Sequence, residues 1–152
     1  MEKIASFRVD HTKLLPGIYV SRVDGDIITY DIRMRKPNTP PYLPNAALHT
    51  IEHLFATFAR NSEYGDRVIY FGPMGCRTGF YLLLRNVEKA DAVRLIRRVF
   101  GQIAAYQGPI PGASAAECGN YREHDLAGAV AEAKAFLPVI RDWDETKLAY
   151  RN

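Results

Sequence analysis

The chain has 152 residues, enough for one domain with a buried core and too few for two ordinary ones, so residues 1–152 are expected to form a single domain. Its 47% hydrophobic and 24% charged residues describe a globular chain rather than a disordered or fibrous one. The net charge of +3 is spread thinly, and the densest basic run, Arg94-Leu95-Ile96-Arg97-Arg98, falls in a helical pattern as a solvated face, which argues against nucleic acid as a partner.

The first residues, Met1-Glu2-Lys3-Ile4-Ala5-Ser6-Phe7-Arg8, alternate charged and apolar types and lack the apolar stretch of a signal peptide. No later run reaches membrane-spanning length, so a cytoplasmic location without a membrane partner is expected. In that setting Cys76 and Cys118 are expected as free thiols, available as ligands or catalysts.

Residues 18–23 and 27–34 read as strands rich in β-branched and aromatic types, joined through the turn dipeptide Asp24-Gly25. Along the second, Ile28, Tyr30, Ile32 and Met34 share one face, and Thr29, Asp31 and Arg33 share the other. Four prolines in the segment 36–44 require an extended connection. A helix follows with Asn45 as its expected N-cap and an apolar stripe of Leu48, Ile51, Phe55 and Phe58, ending near Arg60. Strands are expected over 67–71 and 80–84, flanking the glycine-rich loop 72–79 with Cys76 at its centre. A second helix over 89–106 buries Val93, Ile96, Phe100 and Ile103. A third is expected to begin near Asp125 and stop before Pro138, and Trp143 onward reads as a short docked helix or a loose tail. Strands and helices without regular βαβ alternation predict a two-layer α+β domain, an antiparallel β-sheet with helices packed on one face.

The sharpest local signal is His49-Thr50-Ile51-Glu52-His53. Two histidines at i and i+4 share a helix face and can reach one metal ion, and Glu52 beside them can act as a general base. Cys118, in Ala116-Glu117-Cys118-Gly119-Asn120-Tyr121, is a strong candidate for a third ligand, since thiolate suits zinc or ferrous iron and a His/His/Cys set leaves a position open. His124 is an alternative ligand, with capping or surface work at a helix start the favoured reading of it. Glu117, Glu123 and Glu132 also remain open, because His-x-x-Glu-His occurs in inverted zinc peptidases that recruit a downstream glutamate. Zinc metallopeptidase is therefore the first competing function, and a binding module with a structural metal the next. Cys76, followed by Arg77 in its loop, is placed to expose a thiol and shuttle protons.

These residues together resemble the S-ribosylhomocysteine lyases, the LuxS proteins that make the precursor of autoinducer-2. The resemblance runs through Ser6-Phe7 with Asp10-His11-Thr12-Lys13, Asp31-Ile32-Arg33 with Pro37-Asn38, and Ala47-Leu48-His49-Thr50 with Glu52-His53. It continues through Pro73-Met74-Gly75-Cys76-Arg77-Thr78-Gly79-Phe80-Tyr81, Glu117-Cys118-Gly119-Asn120-Tyr121 and His124-Asp125-Leu126. It implies that His49, His53 and Cys118 bind one divalent metal per chain, Fe2+ in the first place and Zn2+ or Co2+ otherwise. It further implies that Glu52 and Cys76 form an acid/base pair, that Ser6, His11 and Arg33 bind or orient the substrate, and that active sites lie at the interface of a homodimer. The implied reaction moves the carbonyl along the ribose and then expels homocysteine by β-elimination, serving the methyl cycle and, through the other product, quorum sensing. Two positions depart from the family pattern. This chain reads Tyr70-Phe71-Gly72 where an acidic residue and a serine are usual, and Lys36 where glutamine is common.

Overall fold

The computed structural model describes residues 1–151. Strands β1 (Gly17–Asp24), β2 (Ile27–Arg33), β3 (Val68–Pro73) and β4 (Gly79–Arg85) form one antiparallel sheet in the order β1-β2-β4-β3. Helices α1 (Asn45–Arg60), α2 (Lys89–Ala104) and α3 (Leu126–Ile140) pack together on one face, giving the two-layer α+β architecture expected from the pattern.

Period two decides which β2 side chains enter the core. Tyr30 and Ile32 are fully buried beneath the helices together with Phe80, Leu82 and Leu84 of β4. Ile51, Leu54 and Phe55 from α1 and Val93, Ile96, Phe100 and Ile103 from α2 close the core, with Phe55 stacked on Phe71 at 4.0 Å. On the opposite sheet face Thr29, Asp31 and Arg33 are also buried, because the chain termini cover that end of the sheet. Trp143 donates from its indole nitrogen to the Ile18 carbonyl (2.9 Å), and Val20 donates its N–H to Leu148 (2.8 Å). Tyr150 stacks on Tyr19 and donates its hydroxyl to Asp31 (2.7 Å). The C-terminal segment is thus docked around a short 3-10 turn, Glu145–Lys147.

Strand β3 runs to Pro73, two residues into the expected loop, and three helix ends differ from the sequence expectation. Pro44, not Asn45, occupies the N-cap of α1; its carbonyl accepts from the Leu48 N–H (2.9 Å), and Asn45 is the first helical residue. The second helix closes at Ala104, two residues before Tyr106. Helix α3 does not stop before Pro138 but continues through it to Ile140. A proline in the last turn removes a single N–H donor, and burial of Ile140 together with Arg97 donating to the Ile140 carbonyl (3.1 Å) holds that turn in place.

Candidate metal centre and active site

Helix α1 presents His49 and His53 on one face, one turn apart. Across from them runs the connection 105–125 between α2 and α3, which carries Cys118 and His124. A 3-10-like turn in which Glu117 and Cys118 both donate their N–H to the Ser114 carbonyl brings the sulfur inward. Asp125 caps α3 by accepting from the Gly128 N–H (2.9 Å), and this places His124 immediately before the helix. Gly112 lies at φ +70, where a Cβ would come within 3.2 Å of His53 Nδ1, so this connection approaches the histidine as only glycine allows without displacement.

His49, His53, Cys118 and His124 offer four donor atoms lying within 4.8 Å of one another. Cys118 Sγ stands 3.4 Å from His49 Nε2, 3.8 Å from His53 Nε2 and 3.9 Å from His124 Nε2. A tetrahedral site with ordinary metal–nitrogen and metal–sulfur bonds separates such donors by about 3.6 Å, so this set fits a divalent cation.

The other ring nitrogens distinguish the histidines. His49 Nδ1–H donates to the Glu123 carbonyl (2.7 Å) and His53 Nδ1–H to the Pro111 carbonyl (2.9 Å). A carbonyl can only accept, so both Nδ1 atoms carry the proton and both Nε2 lone pairs face Cys118. His124 Nδ1 instead meets the Thr50 hydroxyl (2.9 Å), whose oxygen already accepts from the Asp125 N–H (2.9 Å). That hydroxyl can donate to Nδ1, leaving a proton on His124 Nε2 and making it a donor toward the Cys118 sulfur. Burial, then the neighbouring His49 and His53, lower the His124 pKa below its ordinary value, which disfavours the charged ring. Against the expected capping or surface work, the fold brings His124 into the cluster, stacked on His49 at 3.9 Å. Its place six residues after Cys118, directly before a helix cap, was the available signal.

Glu52 is half-buried and lines a cleft of about 360 Å³ with His53, Arg60, Tyr70, Phe71 and Gly112. Cys76 is exposed at the tip of the β3–β4 loop. That loop is closed by the Arg77 N–H donating to Met74 (3.0 Å), with Arg77 at φ 60, and is tied to the segment leading into α1 by the Leu43 N–H donating to Arg77 (3.0 Å). Arg33 is only 2% exposed; its guanidinium donates to Asp31 Oδ2 (2.6 Å) and Thr78 Oγ1 (2.8 Å), and the Thr78 hydroxyl lies 3.1 Å from Cys76 Sγ. Arg33 and Cys76 are thereby brought into one network.

Ser6 lies elsewhere, in the short 3-10 turn Ala5–Phe7, beside a cleft on the outer sheet face with Thr29, Tyr70, Tyr81 and Leu83. His11 sits in a turn with Nδ1 donating to the Val9 carbonyl (2.9 Å). Among the described residues, neither hydrogen-bonds to the histidine cluster or to the Cys76 loop. The departure at 70–72 is a matched pair: the Tyr70 phenol lies over Gly72, where a Cβ would meet the hydroxyl at 2.1 Å.

Residues 4–147 match the family model described as S-Ribosylhomocysteinase (LuxS). Curated relatives named S-ribosylhomocysteine lyase include one from Desulfotalea psychrophila, 54% identical over 99% of both chains. Another from Borreliella afzelii is 51% identical over 99% of both, and one from Clostridium beijerinckii 50% identical over the whole of both. These matches are to a carbon–sulfur lyase family and give the peptidase alternative no support. With the donor cluster, the glutamate beside it and near-complete coverage in agreement, the chain belongs to the S-ribosylhomocysteinase (LuxS) family.

Proposed function

We propose that this chain acts as a single domain holding one divalent metal through His49, His53 and Cys118, with Glu52 and Cys76 as its proton-transfer groups. The activity is that of its family, cleavage of S-ribosylhomocysteine to homocysteine and 4,5-dihydroxypentane-2,3-dione, the autoinducer-2 precursor. The observation that carries the ligand assignment is the pair of backbone carbonyls that aim His49 Nε2 and His53 Nε2 at the Cys118 sulfur. In this reading His124 supports the thiolate from outside the ligand set, and the fourth position stays open for substrate. Two imidazoles and a thiolate suit Fe2+ as the metal, with Zn2+ or Co2+ as substitutes. When bound, such a cation supplies a Lewis acid that polarises a sugar carbonyl.

The protein's own residues then handle protons. Carbonyl migration along the ribose removes a proton from one carbon and returns one to its neighbour, and each transfer needs a positioned base that becomes an acid. With the carbonyl at C3, loss of the C4 proton forms the C4–C5 double bond and breaks the C5–sulfur bond, its electron pair leaving with homocysteine. Glu52, i+3 from His49 and lining a cleft, is placed for one set of transfers. Cys76 handles another, a reading supported by its exposure on a loop held by the segment that leads into α1.

Ser6, His11 and Arg33 complete the substrate site in a homodimer. Support for this comes from Ser6 and His11 standing apart from the cluster, and from exposed apolar groups at or beside the outer sheet face: Ile4, Phe7 and Tyr70. The unpaired thiols accord with a cytoplasmic enzyme of the methyl cycle whose dione product feeds quorum sensing. Anaerobically purified protein mixed with S-ribosylhomocysteine should release one homocysteine thiol per substrate, while a peptide run in parallel stays intact. Peptide cleavage without thiol release would overturn the assignment.

A further inference from the structure

We propose that Thr78 and Tyr150 are positioning residues at the two ends of a buried hydrogen-bond relay that stabilises the thiolate form of Cys76. The relay runs Tyr150 hydroxyl to Asp31 Oδ2 (2.7 Å), Arg33 to the same Oδ2 (2.6 Å), Arg33 to Thr78 Oγ1 (2.8 Å), and the Thr78 hydroxyl to Cys76 Sγ (3.1 Å). Its interior is buried: Asp31, Arg33 and Thr78 are each at most 2% exposed.

Donor accounting sets the direction. A guanidinium only donates, so Arg33 occupies a lone pair of Thr78 Oγ1, and the hydroxyl's own proton is free to point at the sulfur. When Cys76 has given up its proton, Thr78 donates to the thiolate, and the cation behind it strengthens that donation. When Cys76 is protonated, its S–H donates to the remaining lone pair of Thr78. No proton travels the relay; each group keeps its own and only the polarisation is passed on. Burial works against the Arg33 charge, but the charge and hydrogen bond of Asp31, with smaller help from Cys76 and Tyr150, more than offset it and raise the Arg33 pKa.

Tyr150 has a definite part. Asp31 Oδ2 accepts from two donors, and the phenol takes up part of the carboxylate charge that would otherwise be spent on Arg33. Burial and then Asp31 push the Tyr150 pKa well above the ordinary phenol range, so it stays a donor. The docked C-terminal segment thereby reaches the sheet residue behind the catalytic loop.

The inference deepens the proposed role of Cys76, and its test reads the thiol directly. Metal-loaded protein is alkylated with iodoacetamide across pH, and the rate at Cys76 is followed by mass spectrometry of the peptide. Thr78→Val should raise the alkylation midpoint by about one pH unit, the scale of a lost charge-assisted hydrogen bond, while Thr78→Ser keeps it near that of the parent protein. Tyr150→Phe, which removes one oxygen from the tail and leaves the loop intact, should raise it by about half a unit. An unchanged midpoint in Thr78→Val overturns the relay, and an unchanged midpoint in Tyr150→Phe removes the tail from it. A Cys76→Ala protein that still releases homocysteine at the parent rate would defeat the catalytic reading of Cys76 and leave the alkylation result standing.

Discussion

At the scale of single residues, the ligand set and the proton-transfer groups should separate experimentally. His49→Ala, His53→Ala and Cys118→Ala each remove a donor from the cluster and should abolish stoichiometric Co2+ uptake, read from the visible absorption of the loaded protein. His124→Ala should still fill the site, with affinity lower by about 10- to 100-fold, the range for losing a partner that orients a ligand. Loss of all uptake in His124→Ala would make it a fourth ligand and close the site. Glu52→Gln and Cys76→Ala should keep their metal and lose about a hundredfold or more in thiol release. If the two groups serve different transfers, one variant will still exchange a ribose C–H proton for deuterium without releasing homocysteine. The His49 and His53 pair was legible in the sequence because i and i+4 spacing acts through the helix alone. His124 was not, because its role depends on Thr50, 74 residues away.

At the scale of elements, α1 and the connection that leads into the cap of α3 carry the centre. Asp125 caps α3 one residue after His124, so Asp125→Ala should cost about 1 kcal/mol in urea unfolding and weaken metal binding as well. A stability loss with unchanged Co2+ affinity would show that the cap does not help hold His124. The apolar stripes of α1 and α2 were readable from their period, and Ile51, Phe55, Val93, Ile96, Phe100 and Ile103 are all buried. The ends were harder to read. Asn45 carries the usual cap side chain, yet the Pro44 carbonyl begins the helix, and the stop expected before Pro138 gave way to burial of Ile140. At the α3 end packing outweighs local propensity.

At the scale of the whole molecule, the outer sheet face bearing Ser6 and Tyr70 is the surface a second chain should cover. Light scattering should give a dimer at assay concentration, and a fully active monomer would remove the shared-site reading. The core also sets an alkaline limit. Burial, with a smaller contribution from Glu88, raises the Tyr30 pKa to about 12, while its unfolded value remains near 10. The unfolded chain therefore loses the proton first, and stability should fall as pH rises from about 10 toward 12. Phenolate absorbance from Tyr30 should then appear together with unfolding rather than before it, and its appearance in a still-folded protein would contradict this. The strands, the helix stripes, the two-histidine face and the family resemblance were legible in residue order alone, since each rests on backbone period or on runs of adjacent residues. How Cys118 and His124 meet α1, which tautomer His49 and His53 adopt, and how Tyr150 reaches Asp31 across 119 residues of chain follow from the fold instead. Contacts of that kind are made by chain segments whose separation leaves no periodic trace, and they exist only once the core has brought those segments together.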